Sequence, residues 1–247
     1  MKALALLLAL APVYAGPITF GTNLIVNGDA ESGAGSNDGS VVASIPGWST
    51  LNGNFTVVQY GASGGFPTLG DPGPANRGNN FFAGGPGTNE GSGSQALDIS
   101  SISTQVDAGL ITYDLSAYLG GWQSQDDEAD ISLWFWDQGN NLVGFYDLTG
   151  PTAAQRGGVT GLFFTSNSGS VPAGTRSVEF DLNMFWTSGS YVDGYADNLS
   201  FALNAASVSG VPEPGSIALV ALGLAATAAF SKYRYSCSAR TRRSTDR

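Results

Sequence analysis

The sequence predicts an all-β protein, an antiparallel two-sheet β-sandwich of the jelly-roll type. Short runs that alternate apolar and polar residues recur along the chain, turn residues separate them, and long helical patterns are missing. The run Ser177–Trp186 alternates most clearly, with Val178, Phe180 and Leu182 on one face and Glu179 on the other. Half-buried alternation in short units is typical of two packed antiparallel sheets.

The remaining strands are predicted from the same pattern. An asparagine pair, Asn140 and Asn141, separates two of the runs and indicates a hairpin. The stretch Gly61–Gly93 is rich in Gly, Pro and Asn, which predicts long loops with a short strand near Asn80–Ala83. The other alternating runs are Gly109–Ser116, Ala129–Asp137, Leu142–Leu148 and the final strand through Leu199, Phe201 and Leu203.

Residues 1–15 have the pattern of a secretory signal peptide. Lys2 supplies the charged start, an apolar stretch follows, and Val13–Ala15 resembles a cleavage site between small residues. The alternative, a buried N-terminal helix, is disfavoured because the apolar stretch is short and opens on a lysine. The β-sandwich domain is then predicted over residues 16–205, and a linker of small residues over 206–210.

Residues 211–247 form a second segment outside the sandwich. Pro212 and Pro214 prevent a helix from starting before residue 215, and an uncharged apolar run over 216–231 follows. A basic tail over 232–247 ends the run, which is the pattern of a membrane anchor with its positive end in the cytoplasm. We expect a single short transmembrane helix over 216–231, barely long enough to span, because a full span needs about 20 residues.

Once the two ends are set aside, the exported domain is strongly acidic. Residues 16–211 hold 18 of the 20 acidic residues but only three basic ones, Arg77, Arg156 and Arg176, so their net charge is −15. The value of −10 for the whole chain hides this division. Negative charge of this size argues against nucleic acid and anionic membrane surfaces as partners, and it is compatible with binding divalent cations.

The chemistry available to the domain is narrow. The sequence has no histidine, and Cys237, its only cysteine, lies in the basic tail. This excludes a Ser-His-Asp or Cys-His catalyst and disfavours zinc, haem and copper sites. Because the domain has no disulfide, a large core or a bound ion must stabilise it.

The start of the C-terminal segment is specific. Val211, Pro212, Glu213 and Pro214, followed by the apolar run and a basic cluster, resemble a PEP-CTERM sorting signal. The resemblance implies recognition by an exosortase-type transpeptidase, cleavage near the Pro-Glu-Pro, and a Gram-negative bacterium that makes exopolysaccharide. The inner membrane would then be a transient partner, and the cell surface or extracellular matrix the destination. The tail Ser236–Arg247 departs from the pattern, because such signals usually end soon after the first basic residues.

Three segments of the domain carry a second resemblance: Asn23–Glu31, Val171–Val178 and Tyr195–Ser200. They resemble the galactose-binding-like jelly rolls found as carbohydrate-binding modules. In such modules the opening Asn-Gly-x-x-Glu and a closing Asp supply oxygens to a structural Ca²⁺. The resemblance therefore implies a calcium site whose ligands are Asp29 or Glu31 together with Asp197.

The pattern around Asp197 bears on this site independently. Asp197 is in phase with Leu199 and Phe201, so a strand that extends this far would point its carboxylate inward. A buried carboxylate is costly unless it is paired or binds a metal. The alternative is that Asp197 accepts backbone hydrogen bonds at the start of the strand.

A candidate ligand-binding surface comes from two tryptophans. Trp134 and Trp136 lie on the nominally polar face of their strand, where exposed aromatic rings are costly without a purpose and can stack on sugars. Trp122, Tyr191 and Tyr195 lie on predicted loops and could extend such a site. The alternative is that the Gly-rich loops cover this face and make the tryptophans a second layer of core.

The predicted function follows from these features. A cluster of carboxylates occurs in a polar turn, where charge runs are usually solvated, so we do not expect an enzyme. We expect an exported, exosortase-processed protein of the cell surface or extracellular matrix whose sandwich binds polysaccharide, such as exopolysaccharide, or serves a structural role. The alternative is a carbohydrate-active hydrolase that uses paired carboxylates. The clustered residues are Asp126, Asp127, Glu128 and Asp130.

Overall fold

The computed structural model describes residues 16–206 and, ahead of them, the backbone of Val13 and Tyr14. Short strands dominate, and the described helical structure is confined to the 3₁₀ turn Ser100–Ile102 and the helix α1, Ser103–Asp107. The strands are β1 (Val13–Tyr14), β2 (Ser49–Asn52), β3 (Thr56–Gln59), β4 (Asn80–Pro86), β5 (Gly91–Asp98), β6 (Ile111–Gly121), β7 (Glu128–Trp136), β8 (Leu142–Thr149), β9 (Gly161–Ser170), β10 (Ser177–Phe185) and β11 (Tyr191–Ala205).

The strands form two sheets that face each other. The first sheet has the order β1-β5-β10-β7-β8, with β2 also paired to β5, and the second has the order β3-β4-β11-β6-β9. The pair β1–β5 is parallel, and the other strand pairs are antiparallel. Strands β4 to β11 are distributed between the sheets in the order of a jelly roll. The prediction of an all-β, two-sheet sandwich is therefore confirmed.

The main core fills the space between the sheets. The side chains of Val178, Phe180 and Leu182 on β10 are fully buried in it, as the alternation of their strand predicts. Phe180 meets Phe201 of the facing sheet edge to face, with ring centroids 4.8 Å apart. Because successive side chains of a strand point to opposite faces, burying this set directs Glu179 and its polar neighbours outward.

A second apolar cluster lies on the outer face of the second sheet. The segment that follows β3 folds back over this face and covers it with Tyr60, Ala62 and Phe66. Phe66 and Phe81 approach with ring centroids 6.4 Å apart. We call this set the outer aromatic cluster; its buried members are Val58, Phe66, Phe81, Ala83, Leu162 and Tyr195.

Strand β5 of the first sheet has a glycine-rich start, so its amino-acid composition does not indicate a strand. Strand β5 pairs with β10 over its whole length, yet its first residues belong to the Gly-rich stretch that predicts loops. A Cβ at Gly93 would lie 2.2 Å from the ring of Phe55, and one at Gly91 would lie 2.1 Å from the carbonyl oxygen of Gly84. The glycines are therefore required by close packing inside a strand, where propensity alone indicates a turn.

The predicted terminal segments lie mostly outside the described residues. This holds for residues 1–12 of the predicted signal peptide and for the PEP-CTERM segment 211–247 with its helix over 216–231. Within residues 16–206, helices long and apolar enough to cross a membrane are not found. Strand β11 ends at Ala205, where the sandwich domain is predicted to end.

Candidate functional site

The outer face of the first sheet combines aromatic and acidic side chains. Strands β7 and β10 are neighbours, and their register sets Trp134 opposite Glu179 and Ser132 opposite Asp181. Strand β8 adds Phe145 opposite Trp134 on the other side. We call this surface the tryptophan face; its residues are Ser132, Trp134, Trp136, Phe145, Asp147, Glu179, Asp181 and Asn183.

The rings of Trp134, Trp136 and Phe145 form a continuous aromatic surface on the tryptophan face, which we call the ledge. The rings of Trp134 and Trp136 are stacked with an interplanar angle of 16° and centroids 6.2 Å apart. Phe145 packs against Trp134 at 4.4 Å, and the Trp136 indole N–H donates to the Glu179 carboxylate at 3.0 Å. Both tryptophans are half-buried, and neither belongs to the main core or to the outer aromatic cluster.

Burial changes the acidity of the carboxyl groups beside the ledge. Burial and the neighbouring charge of Glu179 raise the pKa of Asp181 to about 7. The nearby indole N–H of Trp134 partly offsets this rise, but its geometry falls short of a hydrogen bond, so Trp134 Nε1 and Asp181 Oδ1 remain unpaired within the described residues. Burial also raises the pKa of Glu179. The face therefore holds two neighbouring carboxyl groups whose pKa values are both raised by burial, and that of Asp181 lies near neutral pH.

Several buried polar atoms at the tryptophan face have no hydrogen-bond partner among the described residues. Ser94 of β5 lies opposite Asp181, and its hydroxyl, like Trp134 Nε1 and Asp181 Oδ1, is shielded from solvent without a hydrogen-bond partner among residues 16–206. An unpaired buried polar atom costs about 1–3 kcal/mol. A ligand that brings hydroxyl groups, which both donate and accept, can complete these bonds after small side-chain movements.

A series of side-chain hydrogen bonds connects the strands of the tryptophan face next to the aromatic rings. Ser132 Oγ donates to the Asp147 carboxylate at 2.7 Å and accepts from the Asn183 amide at 3.1 Å. These residues come from three adjacent strands, β7, β8 and β10. The ledge therefore rests on a rigid sheet, which favours binding without a large conformational change.

The carboxylate cluster of residues 126–130 is dispersed by the fold, and the expectation that this charge run is solvated is wrong for two of its members. Asp127 is fully buried and accepts from the Thr187 amide at 2.6 Å and the Asp193 amide at 2.8 Å. Asp130 lies on the outer side of β7, and burial raises its pKa to about 6. Of the four residues, only Asp126 is exposed, and Glu128 and Asp130 are half-buried.

Asp197 is fully buried, but it does not point into the main core. A β-bulge interrupts the pairing of β11 with β6 between Asp197 and Ser200, and Asn198 adopts a positive φ of 51°. The bulge reverses the alternation, so Leu199 faces the main core while Asp197 faces the outer aromatic cluster. The inward orientation inferred from the phase of the strand is therefore wrong, and the extra residue of the bulge is the reason.

The groups named for calcium are close together, yet they are already engaged. Asp197 accepts from the Tyr60 hydroxyl at 2.7 Å and from the Asn198 amide at 2.7 Å, while Glu31 accepts from the amides of Asn79 and Asn80 at 2.8 and 2.7 Å. Burial, followed by the charges of Glu31 and Asp29, raises the pKa of Asp197 to about 7. Within the described part of the chain, clusters of three acidic, His or Cys ligands suited to a metal do not occur. The calcium site stays a prediction.

The C-terminal segment is similar to a known protein family. Residues 210–234 match the family model of the PEP-CTERM protein-sorting motif. The chain carries a PEP-CTERM motif. The prediction made from Val211–Pro214 is therefore confirmed, and the motif supports export and association with the surface or membrane. No curated protein matches the chain.

Solved structures resemble the sandwich at low sequence identity. A cyclase from Fischerella sp. TAU has a TM-score of 0.48 and 13% identity, over 77% of this chain and 100% of that one. A CBM22-1 xylan-binding domain of Xyn10C from Paenibacillus barcinonensis has a TM-score of 0.36 and 12% identity, over 70% and 94%. The enzymatically active domain of tailspike protein 4 from bacteriophage CBA120 has a TM-score of 0.47 and 19% identity over 74% of this chain. The alignment spans 21% of that tailspike chain.

Sequence reasoning named the tryptophans of the face and missed its acids as site residues. Glu179 and Asp181 were recognisable as the polar side of an alternating strand. Their place beside Trp134 depends on the pairing of β10 with β7, which are separated by 40 residues of chain between Trp136 and Ser177. Pairing over such a distance leaves no local signal in the sequence.

The raised pKa of Asp181 predicts a pH dependence of stability. The folded-state pKa of about 7 exceeds the unfolded value of about 3.9, so the folded protein holds this proton more tightly. The stability that Asp181 contributes is full below about pH 4 and is lost as the pH rises through 7. Urea unfolding between pH 4 and 8 should show a decline that is about 1–3 kcal/mol smaller in Asp181→Asn than in wild type. The variant Asp126→Asn, on an exposed loop, is the control, and equal declines in wild type and Asp181→Asn would contradict the assignment.

The calcium prediction is tested by thermal unfolding. At a concentration a hundredfold above its Kd, Ca²⁺ binding to the folded state adds about 2.7 kcal/mol, which raises the Tm by about 5–10 °C for a domain of this size. The substitution Asp197→Asn should remove this increase, since Asp197 is the buried member of the ligand set. A melt that chelation leaves unchanged would show that the hydrogen bonds of Tyr60 and Asn198 alone satisfy the carboxylate.

Proposed function

We propose that the protein is exported, processed by an exosortase and displayed at the cell surface or in the extracellular matrix, where its tryptophan face binds polysaccharide. The observation that supports this most is the stacked pair Trp134 and Trp136 beside Asp181, Glu179 and Ser94 on one rigid sheet. A sugar ring has an apolar face and a rim of hydroxyl groups. The ledge offers aromatic surface for the former and hydrogen-bonding groups for the latter.

Charge narrows the class of polysaccharide. The domain has a net charge of −15, and the side chains of the tryptophan face include three carboxyl groups, Asp147, Glu179 and Asp181, and no lysine or arginine. An anionic polymer would be repelled by this field and would find no cation to pair with on the face. The proposed ligand is therefore a neutral polysaccharide whose hydroxyl groups donate to the carboxylates.

The PEP-CTERM motif supports the location of this activity. Its presence implies processing by an exosortase-type transpeptidase, with the inner membrane as a transient partner of the apolar run over 216–231. Polysaccharide binding at the end of this route would retain the protein within an extracellular matrix. A purely structural role in the matrix would need no ledge of aromatic rings.

One observation supports a second candidate, a carbohydrate-active hydrolase. Glu179 and Asp181 are two residues apart on one face of β10, and the charge of Glu179 contributes to the raised pKa of Asp181. Pairs of carboxyl groups with different acidities serve glycoside hydrolysis as acid and base. Here Asp181 would donate the proton and Glu179 would act as base or nucleophile, although its bond to Trp136 engages one of its oxygens.

Binding to polysaccharide tests the leading proposal. The double variant Trp134→Ala/Trp136→Ala should lose at least tenfold in affinity for insoluble neutral polysaccharides in a pull-down assay, because it removes both stacking rings. The control Phe164→Ala removes an aromatic side chain that is 61% exposed on the second sheet, and it should bind as wild type does. Unchanged binding by the double variant would exclude the tryptophan face. Release of reducing ends that is lost in Asp181→Asn, while binding persists, would instead support the hydrolase.

Mass spectrometry of the native C-terminus tests the processing step. Cleavage by an exosortase predicts a mature chain that ends near Pro214, with whatever group the transpeptidase attaches. Substitution of Pro212 and Pro214 by alanine should leave the chain uncleaved. A native protein that retains Arg247 would show that the segment acts as a plain membrane anchor.

A further inference from the structure

A cavity at one end of the sandwich is separate from the tryptophan face. It has a volume of about 340 Å³, which is in the range of small-ligand sites and sufficient for one sugar residue. Four loops and the start of β11 meet around it. We call it the loop-end cavity; its lining includes Asp38, Phe66, Trp122, Gln125, Tyr191 and Asp193.

Two buried charged side chains hold in place the loops that form the walls of this cavity. Arg156 is 3% exposed and donates to the carbonyl oxygens of Gln123 at 3.2 Å and Gln125 at 2.8 Å, which holds the loop after β6. Asp127 is fully buried and accepts from the amides of Thr187 and Asp193, which holds the loop before β11. Neither charge lines the cavity, so both serve to shape it.

Aromatic rings form the apolar part of the cavity wall. Phe66 and Tyr191 meet edge to face with ring centroids 5.1 Å apart, and Trp122 lies among the lining residues. A Cβ at Gly39, whose φ is +82°, would lie 2.4 Å from the ring of Phe66. The close approach of the turn at Gly39 therefore depends on glycine, and it brings the neighbouring Asp38 to the cavity.

The polar part of the wall is negative and rich in acceptors. Asp38 and Asp193 are the charged side chains that line the cavity within the described residues, and both are acidic. Burial, followed by the charges of Asp193 and Asp38, raises the pKa of Tyr191. The Gln125 amide oxygen and the Tyr191 hydroxyl are shielded from solvent and lack hydrogen-bond partners in the described part of the chain.

We infer that the loop-end cavity binds an amino sugar with a free, protonated amine. The ammonium group would lie between Asp38 and Asp193 and near the aromatic rings, which attract cations through their faces. Its N–H groups would supply the donors that the Gln125 oxygen lacks, while the sugar ring would pack against Trp122 and Phe66. A neutral ligand would leave the negative charge of the cavity wall without a cationic partner.

Other occupants fit the wall less well. A hard cation such as Ca²⁺ needs six to eight oxygen ligands, whereas much of this wall is aromatic. An anion would meet two carboxylates in a domain of charge −15. A lysine side chain of a protein partner carries the same ammonium group, but it lacks the ring that the aromatic surface can cover.

Calorimetric titration of the full chain near pH 7 tests the inference with glucosamine, glucose and N-acetylglucosamine as probes. Glucosamine should bind at least tenfold more tightly than the other two, because only its amine is charged. The variants Asp38→Asn and Asp193→Asn should each lose most of this preference; an asparagine at 193 retains an acceptor for the Tyr195 hydroxyl, which now donates to Asp193 at 2.5 Å. The matched control is Asp114→Asn, whose carboxylate lies outside the cavity on the outer face of β6.

The outcomes separate this site from the tryptophan face. The double variant Trp134→Ala/Trp136→Ala should bind glucosamine as wild type does, and Trp122→Ala should lose glucosamine while it retains neutral polysaccharide. Equal affinities for glucosamine and glucose, or equal losses in Asp38→Asn and Asp114→Asn, would overturn the inference. Binding of n-butylamine as tight as that of glucosamine would overturn its sugar part, and displacement of glucosamine by Ca²⁺ at matched ionic strength would identify a metal site instead.

Discussion

The packing of the two inner faces is the constraint on which the rest of the molecule depends. The exported domain has no cysteine, so no disulfide can join its sheets, and apolar burial must hold them together. Burying Val178, Phe180 and Leu182 also commits the residues between them to the outside. The tryptophan face, to which we assign the proposed binding function, therefore consists of side chains that the core excludes, and its acids are held in position by the core packing beneath them.

Buried charges perform a different task, since they fold the loops rather than the sheets. Arg156 and Asp127 each replace solvent with backbone partners and so fix the loops around the loop-end cavity. Asp197 does the same where the segment after β3 crosses the second sheet, through its bond with Tyr60. In a domain with three arginines and 18 acids, most buried carboxylates must be satisfied by N–H and O–H donors. The buried Asp197 and the half-buried Asp130, Asp181 and Asp193 have pKa values raised to about 6 or 7.

The raised pKa values connect stability with the proposed function. A carboxyl such as Asp181 is costly to bury in its charged form, and its site lacks a compensating cation. Because no cation pairs with Asp181, its carboxyl group can still form hydrogen bonds with the hydroxyl groups of a ligand. The tryptophan face and the loop-end cavity share this property, although one is a ledge on a sheet and the other a recess between loops.

The sequence by itself determined the fold class, the inward set of β10 and the hairpin of β7 with β8, because period-2 alternation is a local signal. It also determined the PEP-CTERM motif, which is read as a linear pattern. Only the tertiary structure decided which strands pair, and therefore that Glu179 and Asp181 lie beside Trp134. It decided that glycines belong inside β5, because close packing overrides propensity there, and that Asp197 faces outward, because one bulge residue reverses the alternation. The alternation of apolar and polar residues depends on neighbouring positions in the sequence, whereas strand pairing and register depend on residues that are far apart in sequence.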